Sequence, residues 1–186
     1  MIVYKKVDSS EEIQQVLDLQ KINLPQNLTE EEIKDQGFVT VIHSYDTLKK
    51  MNDIEQSIIA KNDDHVIGYL LAMTGKSKQD IPVLIPMFGV FDNIIYDNKK
   101  ISSYEYLVVG QVCIAKEWRG QGILDDCYQS YKKHFSDKYD FAITEISTKN
   151  KRSVNAHLRI GFKIIYNYTD SNGIEWEIVL WDWRSA

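Results

Sequence analysis

A β-type run leads through a glycine turn directly into a helix at residues 112–124, and this feature constrains the fold most. Residues 112–114 end the longest β-type run of the chain, 104–114. Gly120 and Gly122 punctuate the turn, and apolar residues then recur at helical spacing. So short a connection between a strand and a helix predicts a sheet with helices packed against it.

The rest of the chain mixes strands and helices without an internal repeat. Ser9–Glu12 and Thr29–Glu32 each have the pattern of a capping box, which starts a helix. Residues 62–64 lie between two β-type runs and predict a hairpin turn. In 75–103 a helical spacing is interrupted by Pro86, so we expect irregular structure there. The other predicted elements are strands at 2–7, 38–42, 57–61, 65–73, 141–147, 162–168 and 175–183, and helices at 44–51, 122–135 and 151–160.

Length and composition indicate one ordinary globular domain over 1–186. The net charge of −5 argues against nucleic acid as a partner, because a basic surface supplies most of that affinity. No run of 18 apolar residues is present and the first residues do not resemble a signal peptide, so we expect no membrane partner. Cys113 and Cys127 form no CxxC pair, which predicts free thiols, no metal site and a cytoplasmic location.

The glycine turn also has the chemistry of an anion site. The first N–H groups of a helix lack intrahelical acceptors, and the helix dipole adds partial positive charge there. Gly120 and Gly122 permit close backbone approach, and Arg119 adds a cation, so a pyrophosphate is the guest that fits. The alternative is an ordinary turn with a solvent-facing arginine.

A second motif follows the next predicted strand, at residues 150–162. The order of strand, RGxG turn, helix, strand, asparagine, helix and Gly-Phe closely resembles the GNAT family of N-acetyltransferases. Arg119 and Gly122 match the first signature of that family, whereas Leu124 stands where a small residue is usual. The second signature is matched by Asn150, Arg152, Gly161 and Phe162, with Ser153 in place of alanine and His157 in place of tyrosine.

The resemblance implies an α+β fold of three α/β layers. Its central sheet is mixed, mostly antiparallel, splayed at its middle and flanked by helices, and acetyl-CoA lies in the gap. It further implies backbone contacts from the strand end to the pantetheine arm and from the turn to the pyrophosphate, with Asn150 and Ser153 completing the site. The residues expected to bind the donor are Val112, Cys113, Ile114, Arg119, Gly120, Gln121, Gly122, Ile123, Leu124, Asn150 and Ser153.

The implied reaction is direct acetyl transfer to a primary amine, which needs a base for the amine and gains from an acid for the departing thiolate. His157 occupies the acid position of the family, and the alternative is a helix residue packed on the sheet. Glu145 is the candidate base, because a carboxylate in a central strand is expensive to bury unless it is paired or functional. The alternative for Glu145 is an ion pair with Arg152 or Arg159. Cys113 is the alternative acyl acceptor.

The acceptor amine is not specified by the sequence. The resemblance implies that 75–103, which lies between two predicted strands, is an insertion on the substrate side. A cationic small molecule or peptide would suit the acidic and aromatic residues of 92–106 if those side chains converge. Two other readings stay open: a non-catalytic acyl-CoA-binding or sensing module, and an interaction protein. For the second, the apolar strand 176–183 would form a homodimer surface.

Overall fold

The computed structural model describes residues 1–36, 39, 41–76 and 85–184. The helices are α1 (Ser10–Ile22), α2 (Glu30–Gln36), α3 (Tyr45–Ile54), α4 (Ile85–Asn93), α5 (Ile123–Phe135) and α6 (Lys151–Ile160). The strands are β1 (Ile2–Lys6), β2 (Ile58–Asn62), β3 (His65–Met73), β4 (Ile95–Tyr96), β5 (Lys99–Lys100), β6 (Tyr106–Ile114), β7 (Phe141–Ser147), β8 (Lys163–Thr169) and β9 (Glu175–Asp182).

Seven strands form one sheet in the order β1-β2-β3-β6-β7-β9-β8, and β4 and β5 form a separate small hairpin. Among the described strands of the large sheet, only β6 and β7 are parallel. One core packs α1, α3 and α4 on one face of the sheet, and a second core packs α5 and α6 on the other. The expected mixed, mostly antiparallel sheet between two helical layers is therefore confirmed.

Both capping boxes start helices. Ser9 accepts the N–H of Glu12 at 3.2 Å at the start of α1. At α2, Thr29 and Glu32 bond each other's backbone N–H reciprocally, at 3.2 and 3.0 Å. These side chains satisfy N–H groups that a helix start leaves without acceptors.

The structure corrects the expectation for Pro86. It lies in the first turn of α4, where its missing N–H removes no helical hydrogen bond, so the helix runs on to Asn93. Phe88 and Phe91 of this helix are buried in the core. The predicted strand at 38–42 falls partly outside the described residues, and Val39, Val41 and Ile42 are not in a strand.

The apolar strand β9 is internal to the sheet, between β7 and β8. Ile178 and Leu180 face the larger core, whereas Trp181 and Trp183 pack in the second core. The burial of both faces therefore results from the protein's own sheet and gives no support to a homodimer surface.

Two irregularities open the middle of the sheet. Opposite β3, the register of β6 gains a residue between Val109 and Val112, which is a β-bulge. On its other side, β6 pairs with β7 only from Tyr106 to Val108. Beyond that point the hydroxyl of Thr144 donates to the carbonyl of Val109 at 2.9 Å. A side chain thus occupies the place of the next backbone bond, and the two strands then separate.

Candidate functional site

The separation of β6 and β7 opens a cleft in the middle of the sheet. A cavity of ≈ 100 Å³ lies between the strands and is lined by Val109–Val112 and Thr144–Ser147. A larger cavity of ≈ 520 Å³ extends over the end of β6 to the start of α5 and along α6. Val112, Asn150, Ser153 and His157 line both cavities, so the two are neighbouring parts of one cleft.

The two cavities differ in charge. Arg119, Arg152 and Arg159 line the larger one, where Asp125 is the single carboxylate among the described lining residues. Among the described residues that line the smaller one, Glu145 is the only carboxylate, and there is no lysine or arginine. The larger cavity therefore favours an anion, and the smaller one favours a cation.

The glycine turn has the backbone conformation that its sequence predicts. Gly120 and Gly122 have φ of 74° and 84°, a left-handed region that disfavours residues with a Cβ. A Cβ built on either glycine would meet no atom within 4 Å, so the space beside them is open. Gly122 is the N-cap of α5 and provides no capping side chain. The first N–H groups of α5 thus lie beside an open cradle that suits a phosphate.

The two aspartates in the first turn of α5 have partners. Asp126 accepts the hydroxyl of Tyr4 at 2.9 Å. Asp125 forms a two-oxygen ion pair with Arg159 of α6, at 2.9 and 3.0 Å, although it lines the larger cavity. The guanidinium of Arg159 therefore balances the negative charge of Asp125, which reduces the repulsion between Asp125 and an anion in the cavity.

The guanidinium of Arg119 faces inward from the turn. Its Nε donates to the carbonyl of Ile114 at 2.8 Å, and it also donates to the side chain of Asn23 at the end of α1. Asn23 in turn accepts the N–H of Val39 through its carbonyl. Arg119 therefore ties the glycine turn to the end of β6 and to the segment after α1. Gln121 bonds the carbonyl of Glu117 and is exposed, so only its backbone is available to a ligand.

Asn150 is the N-cap of α6, as predicted, and its Oδ1 accepts the N–H of Ser153 at 3.2 Å. Ser153 and Arg152 lie in the first turn of α6 and line the larger cavity. The first turns of α6 and α5 thus line the same cavity, and Arg159 in the last turn of α6 pairs with Asp125 in the first turn of α5.

The end of β6 presents backbone groups to the cleft. Ala115 donates to Ile67 of the β3 side at 2.8 Å, so its peptide faces β3. In an antiparallel ladder successive peptides face opposite sides, so Cys113 also faces β3, whereas Val112 and Ile114 face away. The carbonyl of Ile114 accepts the hydrogen bond from Arg119, which agrees with a peptide that faces away from β3. Cys113 is buried, and burial raises the pKa of its thiol to about 12, which disfavours a thiolate nucleophile.

Glu145 lies on β7, just past the point where the strands separate. Its Oε2 accepts the hydroxyl of Tyr168 at 2.5 Å. Burial raises the pKa of Glu145 to about 6, the bond from Tyr168 opposes this rise, and the charge of Asp170 adds to it. A carboxylate of this kind is ionised near neutrality and can accept a proton.

His157 is 2% exposed, and both of its ring nitrogens are bonded. Nδ1 lies 2.7 Å from the carbonyl of Ser153 and must donate to it, so the neutral ring accepts the hydroxyl of Tyr128 at Nε2, at 2.6 Å. Burial lowers the pKa of His157 to about 4. About one ring in a thousand is then cationic at pH 7. These contacts are typical of a packing residue and do not favour the acid role.

The acidic and aromatic residues of 92–106 converge, but on a cation of the protein itself. The guanidinium of Arg184 lies 4.9 Å from the ring centroid of Tyr104 and 5.6 Å from that of Tyr96. Asp182 pairs with Arg184 at 2.6 Å, and Asp97 at 3.3 Å. Because β9 pairs Asp182 with Phe141, this cluster lies at the closed end of the sheet, away from the cleft.

Sequence reasoning missed several residues that the fold brings to the cleft. They are Asn23, Val39, Trp118 and Arg159 at the larger cavity, and Thr144 and Trp176 at the smaller one. Arg159 follows Arg152 by two helical turns, which is a signal for a shared helix face. Trp118 precedes Arg119 and Thr144 precedes Glu145, so both adjoin residues that the sequence had indicated. Nothing in the local sequence of Asn23, Val39 or Trp176 indicates the cleft, because long-range packing brings them there.

Two absences apply to the described parts of the chain. Within 1–36, 39, 41–76 and 85–184, no group of histidine, cysteine and carboxylate side chains is arranged to hold a metal ion. In the same ranges, every helix is too short or too polar to cross a membrane.

Comparison with known proteins places the fold. No protein-family model and no curated protein sequence matches this chain. Solved structures with the same fold include the NatC complex bound to Gag peptide and CoA, with 14% identity over 97% of this chain and 98% of that one, and a TM-score of 0.65. A GNAT-family acetyltransferase from Streptococcus agalactiae is 12% identical over 97% and 95%, with a TM-score of 0.65. NAA60 of Arabidopsis thaliana in complex with acetyl-CoA is 12% identical over 98% and 99%, with a TM-score of 0.59. The chain therefore has the fold of GNAT acetyltransferases, as the two sequence motifs indicated.

Proposed function

We propose that the protein is an N-acetyltransferase that transfers the acetyl group of acetyl-CoA directly to a primary amine. The observation that carries the proposal is the cleft between β6 and β7, whose larger cavity joins a glycine-lined helix start to three arginines. Structural neighbours bound to CoA or acetyl-CoA support it, since they share the fold over nearly the whole chain. The free, buried cysteines suit a reducing cytoplasm, where we place the reaction.

The residues present fit the donor chemically. The glycine turn and the first turn of α5 would hold the pyrophosphate through N–H groups, and the arginines would balance its charge. Asn150 and Ser153 line the cavity on the opposite side, where the pantetheine would pass. Val112, Cys113 and Ile114 form the strand edge beside it, and the peptides of Val112 and Ile114 face the cleft.

In this reaction the chain supplies a proton acceptor and backbone hydrogen-bond donors. Glu145 takes a proton from the ammonium, and the neutral nitrogen attacks the thioester carbonyl. A C–N bond forms as the C–S bond breaks, and the departing thiolate takes the proton that the attacking nitrogen loses. The N–H of Val112 or Ile114 stabilises the negative charge that develops on the carbonyl oxygen. His157 is the acid candidate from the sequence, and its bonds to Ser153 and Tyr128 would have to break before it could act.

The glycine turn provides the direct test. Gly122→Asp places a negative charge in the cradle, whereas Gly122→Ala adds only a methyl group to the same left-handed position. We expect the aspartate variant to lose acetyl-CoA affinity at least tenfold more than the alanine variant, because a like charge beside phosphate costs about 1.4 kcal/mol or more. Isothermal titration of both folded variants measures the difference, and equal affinities would contradict the proposed site.

Thiol release with a panel of primary amines tests the reaction itself. The parent protein should release CoA in the presence of at least one amine and acetylate it. Donor binding without any turnover would instead support the sensing module, which the same cavity would also serve.

A further inference from the structure

Glu145 and Trp176 line the smaller cavity, and each takes part in a hydrogen bond between a carboxylate and an aromatic residue. Tyr168 donates its hydroxyl to Glu145 at 2.5 Å, and Trp176 donates its Nε1 to Asp170 at 3.1 Å. Tyr168 and Trp176 are register partners on β8 and β9, so their side chains emerge on the same face of the sheet. Tyr168, Trp176 and Glu145 are all partly exposed.

These two carboxylates lack an ion-pair partner within the described ranges, 1–36, 39, 41–76 and 85–184. In the same part of the chain, no lysine or arginine lies over the ring of Tyr168 or Trp176. The charge of Asp170 acts on Glu145, so the two groups repel each other when both are ionised. Asp170 also accepts the N–H groups of Asn172 and Ile174, which stabilise its negative charge without neutralising it. A single ammonium at Glu145 would therefore balance only one of the two charges.

The closed end of the sheet shows what this chemistry binds. There, two tyrosine rings and two carboxylates, Asp182 and Asp97, surround the guanidinium of Arg184. The open end of the sheet, beside the cleft, also has two aromatic rings, Tyr168 and Trp176, and two carboxylates, Glu145 and Asp170. Among the described residues, no lysine or arginine accompanies them. Aromatic faces and carboxylates together recognise ammonium and guanidinium groups.

We propose that the acceptor carries two positive charges: the reacting amine at Glu145, and a second cation beside Trp176 and Asp170. The substrate class is thus a diamine, or an amine that is followed closely by a basic group. This inference rests on the proposed acetyl transfer and adds the class of its acceptor. The orientation agrees with the donor site, because the arginines lie in the other cavity and do not repel the substrate there.

The test compares amines that differ only in the second charge. Pentylamine and diaminopentane have the same chain length, and a peptide pair, alanyl-norleucine amide and alanyl-lysine amide, tests whether the second cation belongs to a peptide. We expect kcat/KM to favour the dication of at least one pair roughly tenfold, a factor consistent with a cation on aromatic rings. Added salt should reduce the preference, because it screens partly exposed charges.

Variants locate the second cation. Trp176→Leu should bring the ratio of the two kcat/KM values close to one, whereas Glu175→Gln should leave the parent ratio, because Glu175 is an exposed carboxylate on the same hairpin outside the cavity. Acetyl-CoA affinity, measured first, reports whether each variant is folded. If Trp176→Leu does not fold, the salt dependence of the parent ratio decides.

The outcomes separate the two proposals. Turnover with equal kcat/KM within both pairs, or a preference that is insensitive to salt, overturns the dicationic acceptor and leaves acetyl transfer standing. A preference that survives Trp176→Leu also overturns it. Donor binding without turnover of any amine overturns the proposed function and this inference with it.

Discussion

The carboxylate of Glu145 lies between opposing influences on its pKa. Burial raises the pKa to about 6, and the hydroxyl of Tyr168 holds it below the value that burial alone would give. A base must be deprotonated to act, so we expect kcat/KM to fall about tenfold per pH unit below about pH 6. Glu145→Gln should abolish this decrease at acidic pH and reduce turnover ~10²–10⁴-fold. Tyr168→Phe removes the hydroxyl that lowers the pKa of Glu145, so the decrease should begin at a higher pH.

A neighbouring tyrosine provides the control for that shift. Tyr166 lies on the same strand, is 47% exposed and has no part in the Glu145 bond. Tyr166→Phe should therefore leave the pH profile unchanged. If kcat/KM of Tyr168→Phe decreases at the same pH as that of the parent, Glu145 is not the group that titrates.

His157 and His134 form a natural pair for comparison. In each, Nδ1 lies 2.7 Å from the carbonyl four residues earlier in its helix, but His157 is buried and His134 is exposed. From these contacts we expect His157→Gln and His157→Phe to lose about 1–3 kcal/mol of unfolding free energy, because buried polar partners are left unpaired. We expect His134→Gln to lose less than about 0.5 kcal/mol.

Kinetics then decide the acid role. In the folded fraction that binds acetyl-CoA, the turnover of the His157 variants should stay within about tenfold of the parent. A loss of ~10²–10⁴ without a loss of donor binding would show instead that His157 supplies the proton. Urea unfolding and single-turnover rates on the same samples give both quantities.

At the scale of elements, one side chain stabilises the place where the sheet opens. The hydroxyl of Thr144 satisfies the Val109 carbonyl where backbone pairing of β6 and β7 ends. Thr144→Val keeps the shape and removes the donor, and we expect it to lose about 1–3 kcal/mol of unfolding free energy. Thr144→Ser keeps the donor and should lose less. Equal losses in the two variants would mean that packing of the methyl group, and not the hydrogen bond, determines the stability here.

The helices and strands could be predicted from local sequence, but the separation of β6 and β7 could not. Capping residues such as Ser9 and Thr29 act within one turn, so the helix starts followed from their pattern. The bulge beside Gly110 and the early end of β6–β7 pairing depend on strands far apart in the chain. The splayed sheet was therefore expected only from the resemblance of two motifs to a known family.

At the scale of the whole molecule, local sequence predicts some residues of the site and not others. The glycine turn and Asn150 were found because their conformations are dictated by neighbours in sequence. The composition around Asp92 and Asp97 suited a substrate pocket. Instead, the guanidinium of Arg184, 80 or more residues away in sequence, lies over the rings of Tyr96 and Tyr104. Trp176 had no local signal for the cleft that it lines.

The strand order has a consequence for engineering. All strands on one side of the split, β1, β2, β3 and β6, precede all those on the other, β7, β9 and β8, so the backbone crosses the split once, through α5 and residues 136–140. A single cut in 136–140 yields two contiguous fragments: one carries the glycine turn, and the other carries Glu145 and Asn150. Neither fragment holds a complete cleft, which makes the pair a starting point for a split sensor whose reassembly reports the concentration of the donor.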